Sequence, residues 1–243
     1  MLGTRRLTTT QGAPVPHRPT RPTQPEPADG WTPDRYRAAI TAERARLVAD
    51  LEALPAPAWS APTLCGAWTV EDVVAHLTAG ASTGRWAWLR SIVAAGFDAD
   101  RHNERRLAEH RGPTPADTLA RFRAVVGSRV APTGDHWAWL GEVVVHGADV
   151  REPLGLPGAG DPEVARAVAV GFVRRDFAVP SRTRARGVRL VATDSAFRAG
   201  EGPEVEGTTL DLVLALAGRP TAAARLGGAG ADTLRAAVAG RGA

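Results

Sequence analysis

The segment Trp139–Asp149, WLGEVVVHGAD, does most to restrict what this chain can become. It is apolar almost all round, so a helix made from it belongs in a core rather than on a surface. Yet it carries Glu142 and His146 four residues apart, which sets both side chains on one face, one turn apart. A carboxylate and an imidazole in such surroundings are costly to desolvate unless they are paired or bound to a metal. An oxygen and a nitrogen donor so spaced make half of a metal site. The other half has to come from elsewhere in the chain.

The upstream sequence predicts helices to pack against this one. From Pro33 to Leu54, Ile40, Leu47, Leu51 and Leu54 form a helical stripe, with Asp34 near its start and Pro55 and Pro57 after its end. A loop from Trp59 to Trp68 leads into Thr69-Val70-Glu71-Asp72, a capping box with a shorter acid than usual. The helix it opens has Val70, Val73, Val74 and Leu77 on its apolar face and His76 at the edge. Trp86, Trp88, Leu89, Ile92 and Val93 extend the pattern to about Ala95, and Phe97 to Gly112 is polar and Arg-rich. Thr114-Pro115-Ala116-Asp117 starts a third helix, expected to run to about Val130. Asp135 is placed to cap the fourth, which carries the opening segment and ends near Pro153. Helical segments with short connections predict an antiparallel four-helix bundle over residues 31–157, an architecture that draws metal ligands from facing helices.

Beyond Gly160 the pattern changes. Asp161-Pro162 opens a helix to about Ala178, residues 180–186 read as a linker or loop, and Gly187 to Thr193 alternates like a strand. Ala196–Arg198 and Pro203–Glu206 are candidates to pair with it. Leu210 to Leu216 is a short apolar helix that Gly218 and Pro220 should end, and a last helix spans about Asp232 to Val238. Together these predict a smaller α+β domain over residues 158–243. Residues 1–30, rich in Pro, Thr and Gln and poor in large apolar side chains, read as a disordered tail.

Composition narrows the function classes. A length of 243 residues with 44% apolar content suffices for two modest domains. The net charge of +4 and pI near 10.6 come from scattered arginines and read as compositional bias, not as a nucleic-acid interface. The cluster Arg182, Arg184, Arg186 and Arg189 reads as a solvated linker. No apolar run approaches the roughly 18 residues that span a bilayer, and no secretory signal is visible. Cys65 is the single cysteine, which excludes an intrachain disulfide and a cysteine-based zinc motif and fits a reducing cytoplasm. Cys65 itself reads as a small packed side chain.

His76, Glu142 and His146 would make a set of two histidines and one carboxylate, which suits zinc with open positions and also iron, nickel or cobalt. Spacing alone leaves a plainer alternative, a satisfied core histidine beside an ordinary Glu–His pair. Asp149, three residues after His146, suits either an orienting partner or a salt bridge. His102, His110 and His136 read as solvated, and Trp68, Trp86, Trp88, Trp137 and Trp139 as core or cleft wall.

The segments Thr63–Leu77, TLCGAWTVEDVVAHL, and Glu142–Gly155, EVVVHGADVREPLG, resemble the mycothiol-dependent maleylpyruvate isomerase family. The resemblance covers about residues 33 to 240. It implies a DinB-like four-helix metal-binding bundle followed by a small sterol-carrier-like α+β domain. It implies His76, Glu142 and His146 as ligands of zinc or another divalent metal, and mycothiol as thiol cosubstrate. It places Arg219, in the Gly-Arg-Pro of the C-terminal segment, where an arginine reaches the cleft to bind a substrate carboxylate. Glu71 and Ala148 depart from the family's usual residues at positions that do not ligate. In such an isomerase the thiolate adds to a cis double bond, allows rotation and leaves. The same thiolate would serve S-transfer to another small electrophile. A zinc-water hydrolase on the same bundle and a non-enzymatic metal- or ligand-binding protein are the other readings.

Overall fold

The computed structural model describes residues 30–84, 106–130, 133–158 and 160–240. The expected tail up to residue 29, the extension of the second helix through Trp86 and Trp88 to Ala95, and His102 lie outside the described residues.

The first helix, α1 (Pro33–Glu52), starts where local chemistry dictates: Thr32 accepts from the backbone N–H of Arg35, Pro33 takes the first position and Asp34 the first turn. It buries Tyr36, Ile40, Leu47, Val48 and Leu51, and a 3-10 turn, Ala56–Ser60, follows the Pro55 stop. Helix α2 (Val70–Ser82) opens on the full capping box, with Thr69 and Asp72 each accepting from the other's backbone N–H. Arg111 also pairs with Asp72.

Helix α3 (Pro115–Ala124) is capped by Thr114 as expected but stops well before Val130. The buried Arg44 of α1 donates to the carbonyls of Val125 and Ser128 at 3.3 and 3.1 Å, satisfying a turn there instead of another helical repeat. Helix α4 (His136–Arg151) carries the opening segment. Asp135 precedes it but makes no side-chain cap bond, because Arg175 takes its carboxylate at 2.7 Å. Helix α1 packs on α3 and α4, and α2 packs on the same two helices.

Helix α5 (Pro162–Arg174), capped by Asp161, packs on α4. The segment read as a linker contains a short helix, α6 (Ser181–Arg184), tied down by Ser181 donating to the Phe172 carbonyl and by Asp176 accepting from Thr183. Strands β1 (Arg189–Ala192), β2 (Arg198–Ala199) and β3 (Glu204–Gly207) form a sheet in the order β2-β1-β3. The β1–β2 pair is antiparallel, with Leu190 opposite Ala199, and the β1–β3 pair is parallel, with Leu190 opposite Val205. Helix α7 (Thr209–Leu216), α8 (Pro220–Arg225) and α9 (Ala231–Ala239) complete the described chain. Helix α8 was not expected: Pro220 reads as a stop signal, yet it occupies the first turn of a new helix.

The described fold is mostly helical with one small sheet, and its buried apolar side chains form a continuous cluster from Trp31 to Val238. One turn in it matters for the site. After α7, the N–H of Gly218 bonds back to Ala215 and that of Arg219 to Leu214, the paired closing bonds of a Schellman turn. Gly218 sits at φ +94°, a left-handed backbone conformation that favours glycine. The turn fixes Arg219 at the start of α8.

Candidate metal centre

Two elements converge. His76 stands on α2, Glu142 and His146 on α4, and one ligand atom from each lies within 4.8 Å of the others. Glu142 Oε2 is 3.2 Å from His76 Nε2 and 3.4 Å from His146 Nε2. His76 is thus joined to the Glu142–His146 pair instead of standing apart from it.

The two imidazoles differ in their outer partners. His146 is buried, and its Nδ1 lies 2.9 Å from Asp149 Oδ2. The Asp149 side chain has no exposed surface and is gripped by Arg219, whose Nε and Nη2 donate to its two oxygens at 2.9 and 2.5 Å. Arg219 donates its Nη1 to the Ala217 carbonyl. A carboxylate on Nδ1 keeps a proton there and turns the bare Nε2 toward the cluster. In a neutral ring that lone pair would face a Glu142 oxygen, an electrostatic clash that only a proton or a metal ion relieves. The donors present therefore fit a divalent ion of the zinc type.

Titration follows from the same contacts. Burial disfavours charge on Glu142, but hydrogen bonds from His146 and His76 outweigh it and hold its carboxyl well below the usual range. Burial also disfavours charge on His146, and is outweighed by hydrogen bonds to Asp149, Cys65 and Glu142, so its pKa stands well above ordinary. Burial works against the Asp149 charge too, and Arg219 and His146 reverse it to a lowered pKa. For Arg219, burial is overcome by Asp149, and its pKa is raised.

The cluster lies in a cavity of about 230 Å³. The loop before α2 supplies part of its lining, because Leu64 N–H bonds to the Asp149 carbonyl and the Thr63 hydroxyl to that of Trp68. Trp68 is thereby held against both imidazoles, with ring centroids 4.9 Å from His76 and 6.0 Å from His146. Cys65, read from sequence as packing, is half-buried and lines the cavity, and its sulfur lies within 4.8 Å of ligand atoms of His146 and Asp149. Only its place in the same short segment as Trp68 hinted at this. Trp137 also lines the cavity, whereas Trp139 turns away to bond the Thr133 carbonyl.

Asp72 stays in its capping box, and Glu71 accepts from Thr118 on α3. The buried Ala148 does not line the cavity. His110 and His136, read as solvated, are half-buried away from the cluster, His110 beside Arg106 and His136 stacked on Tyr36. Arg184, read in the linker cluster, donates to the Leu216 carbonyl at the end of α7.

Residues 40–137 match the family described as the mycothiol maleylpyruvate isomerase N-terminal domain. The matched span holds His76 and ends before Glu142 and His146. No curated protein matches the chain. Two crystal structures of the mycothiol-dependent maleylpyruvate isomerase are similar in fold to this chain. One, of a mutant, has TM-score 0.57 and 13% identity over 82% of this chain and 93% of that one. The other has TM-score 0.55 and 15% identity over 78% and 90%. The structural likeness thus covers more of this chain than the matched domain does.

Proposed function

We propose that this chain is a metal-dependent enzyme that activates a low-molecular-weight thiol, mycothiol, for isomerisation of or S-transfer to a small electrophile. On this reading residues 31–157 form a DinB-like four-helix metal-binding bundle and residues 158–243 a sterol-carrier-like α+β domain, in a protein of the cytoplasm. The supporting observation is the convergence of His76 Nε2, His146 Nε2 and Glu142 Oε2, with His146 Nδ1 already committed to Asp149.

His76, Glu142 and His146 would hold the ion, zinc being the best match to these donors. A divalent ion bound there would let a coordinated thiol exist as its thiolate, the nucleophilic form, at neutral pH. The chain does the rest. Asp149 keeps the proton on His146 Nδ1, and Arg219 keeps Asp149 charged and in place. Trp68 covers both imidazoles and limits water beside them. The role of Arg219 is thereby refined: it borders the cavity, but its charge is met by Asp149 instead of standing free for a substrate carboxylate.

The test is elemental analysis of untagged protein beside His76→Ala and Glu142→Ala variants, followed by turnover assays with and without added thiol. The expected result is about one zinc per chain, lost in both variants, and turnover that requires thiol. Metal-free wild-type protein after incubation with zinc would sink the reading. Turnover without thiol would point to hydrolysis by zinc-bound water.

A further inference from the structure

The cavity lining is of two kinds. One is the polar cluster of His76, Glu142, His146, Cys65 and Arg219. The other is apolar, and includes Trp137, Val145, Phe172, Phe177, Val179 and Ala217. The aromatic wall is built into the packing. Trp137 meets Phe172 and Phe177 edge-on, at centroid distances of 6.2 and 5.8 Å. Gly171 makes room for it, since a Cβ there would come within 2.3 Å of the Trp137 ring. Phe177 keeps 45% of its surface exposed at this wall, one of two large apolar side chains so exposed among the described residues. A half-bare aromatic beside a cavity is apolar surface that a bound molecule can cover.

Charge points the same way. Among the described residues, Arg219 is the one arginine lining the cavity, and Asp149 already meets its charge. Arg175 lies over Trp137 and Phe177, is not among the residues of the described lining, and is paired with Asp135. A divalent ion held by the cluster would have its two charges met by Glu142 and the thiolate. The described lining thus offers an incoming dicarboxylate no uncompensated positive partner, and desolvating two carboxylates there is costly.

We propose that the electrophile of this chain is an apolar, aryl- or alkyl-bearing compound that takes the thiol by S-transfer, and not a small dicarboxylate. The apolar body lies against Trp137, Phe172 and Phe177, with its reactive carbon toward the cluster. For an aryl halide, the thiolate sulfur bonds to the ring carbon that carries the halogen, that carbon–halogen bond breaks, and halide leaves. The thiol proton passes to solvent. This inference rests on the thiol-activating reading above.

The experiment compares 1-chloro-2,4-dinitrobenzene with maleylpyruvate on zinc-loaded protein with mycothiol, and repeats the series in Trp137→Ala and Phe177→Ala variants. The aryl chloride should be the better substrate in kcat/KM. Each variant should raise its KM roughly fivefold to twentyfold, as expected for one lost aromatic contact, with zinc content and the KM for thiol unchanged. Faster turnover of maleylpyruvate, or an aryl-chloride KM indifferent to both variants, would overturn the inference while leaving thiol activation intact. Thiol-independent turnover, or no zinc bound, would instead remove the reading on which it rests.

Discussion

His76 and His146 hold one carboxylate between them, yet they are built to different standards. His146 is buried, and its second nitrogen is fixed by Asp149, which Arg219 grips from 70 residues away. His76 is more exposed, at 23% of its side chain, and its described contacts are Glu142 and the Trp68 and His146 rings. The difference teaches that an imidazole can be oriented either by a chain of charged hydrogen bonds or by an aromatic lid. Only the first sets the tautomer.

That contrast can be broken most forcefully at its ends. His146→Ala and Glu142→Ala should abolish measurable zinc binding in a chelator-competition titration, a larger effect than the roughly 10–100-fold that loss of an outer partner costs. Equal residual affinity in His146→Ala and wild type would show that the cluster does not bind metal. Asp149→Asn should then fall within that roughly 10–100-fold range, with nitrogen-edited NMR showing a mixed His146 tautomer. If the tautomer is unchanged, Asp149 is a salt-bridge residue only. Arg219→Lys keeps the charge and loses the two-pronged grip, so its loss of zinc affinity should be smaller than that of Asp149→Asn. Trp68→Phe, at the His76 side, should change affinity least, by about threefold or less.

Acidity sharpens the same comparison. His146 must shed a proton to bind an ion, and its pKa is raised. Below that pKa, zinc affinity should fall about tenfold per pH unit, and Asp149→Asn should move the break to lower pH. In metal-free protein, the stability from His146 is fully present below its unfolded pKa near 6.5 and is lost as pH rises through the folded value. Asp149 behaves oppositely: its contribution is present above its unfolded pKa near 3.8 and is lost as pH falls through the folded one. Denaturant midpoints of metal-free protein should therefore fall on the alkaline side, and zinc-loaded protein should not show that decline.

Much of this was legible in the sequence where the cause was local. The starts of α1, α2, α3 and α5 follow from Thr32, Thr69, Thr114 and Asp161, whose side chains cap their own chain within three residues. Glu142 and His146 were legible because one helical turn relates them. Where the cause was distant, local signals misled. Helix α3 ends early because of Arg44, and Asp135 leaves its cap for Arg175. Pro220 does not halt the helical chain but restarts it after the Gly218 turn. Asp149 could be read two ways from sequence because its partner, Arg219, lies far along the chain, while Arg219 read as a substrate-binding cation because Asp149 was not seen beside it.

The Arg219 grip on Asp149 also has a consequence in time. A chain emerging from the ribosome completes His76, Glu142 and His146 well before it reaches residue 219. Until the Gly218 turn forms and delivers its guanidinium, Asp149 lacks the two-pronged grip that holds its carboxylate in place against His146. On the proposed reading, full ordering of the metal centre would thus be a late event in maturation that waits for the C-terminal portion to be made and to dock. A protein truncated before Gly218 would hold every donor and still lack the partner that sets one of them.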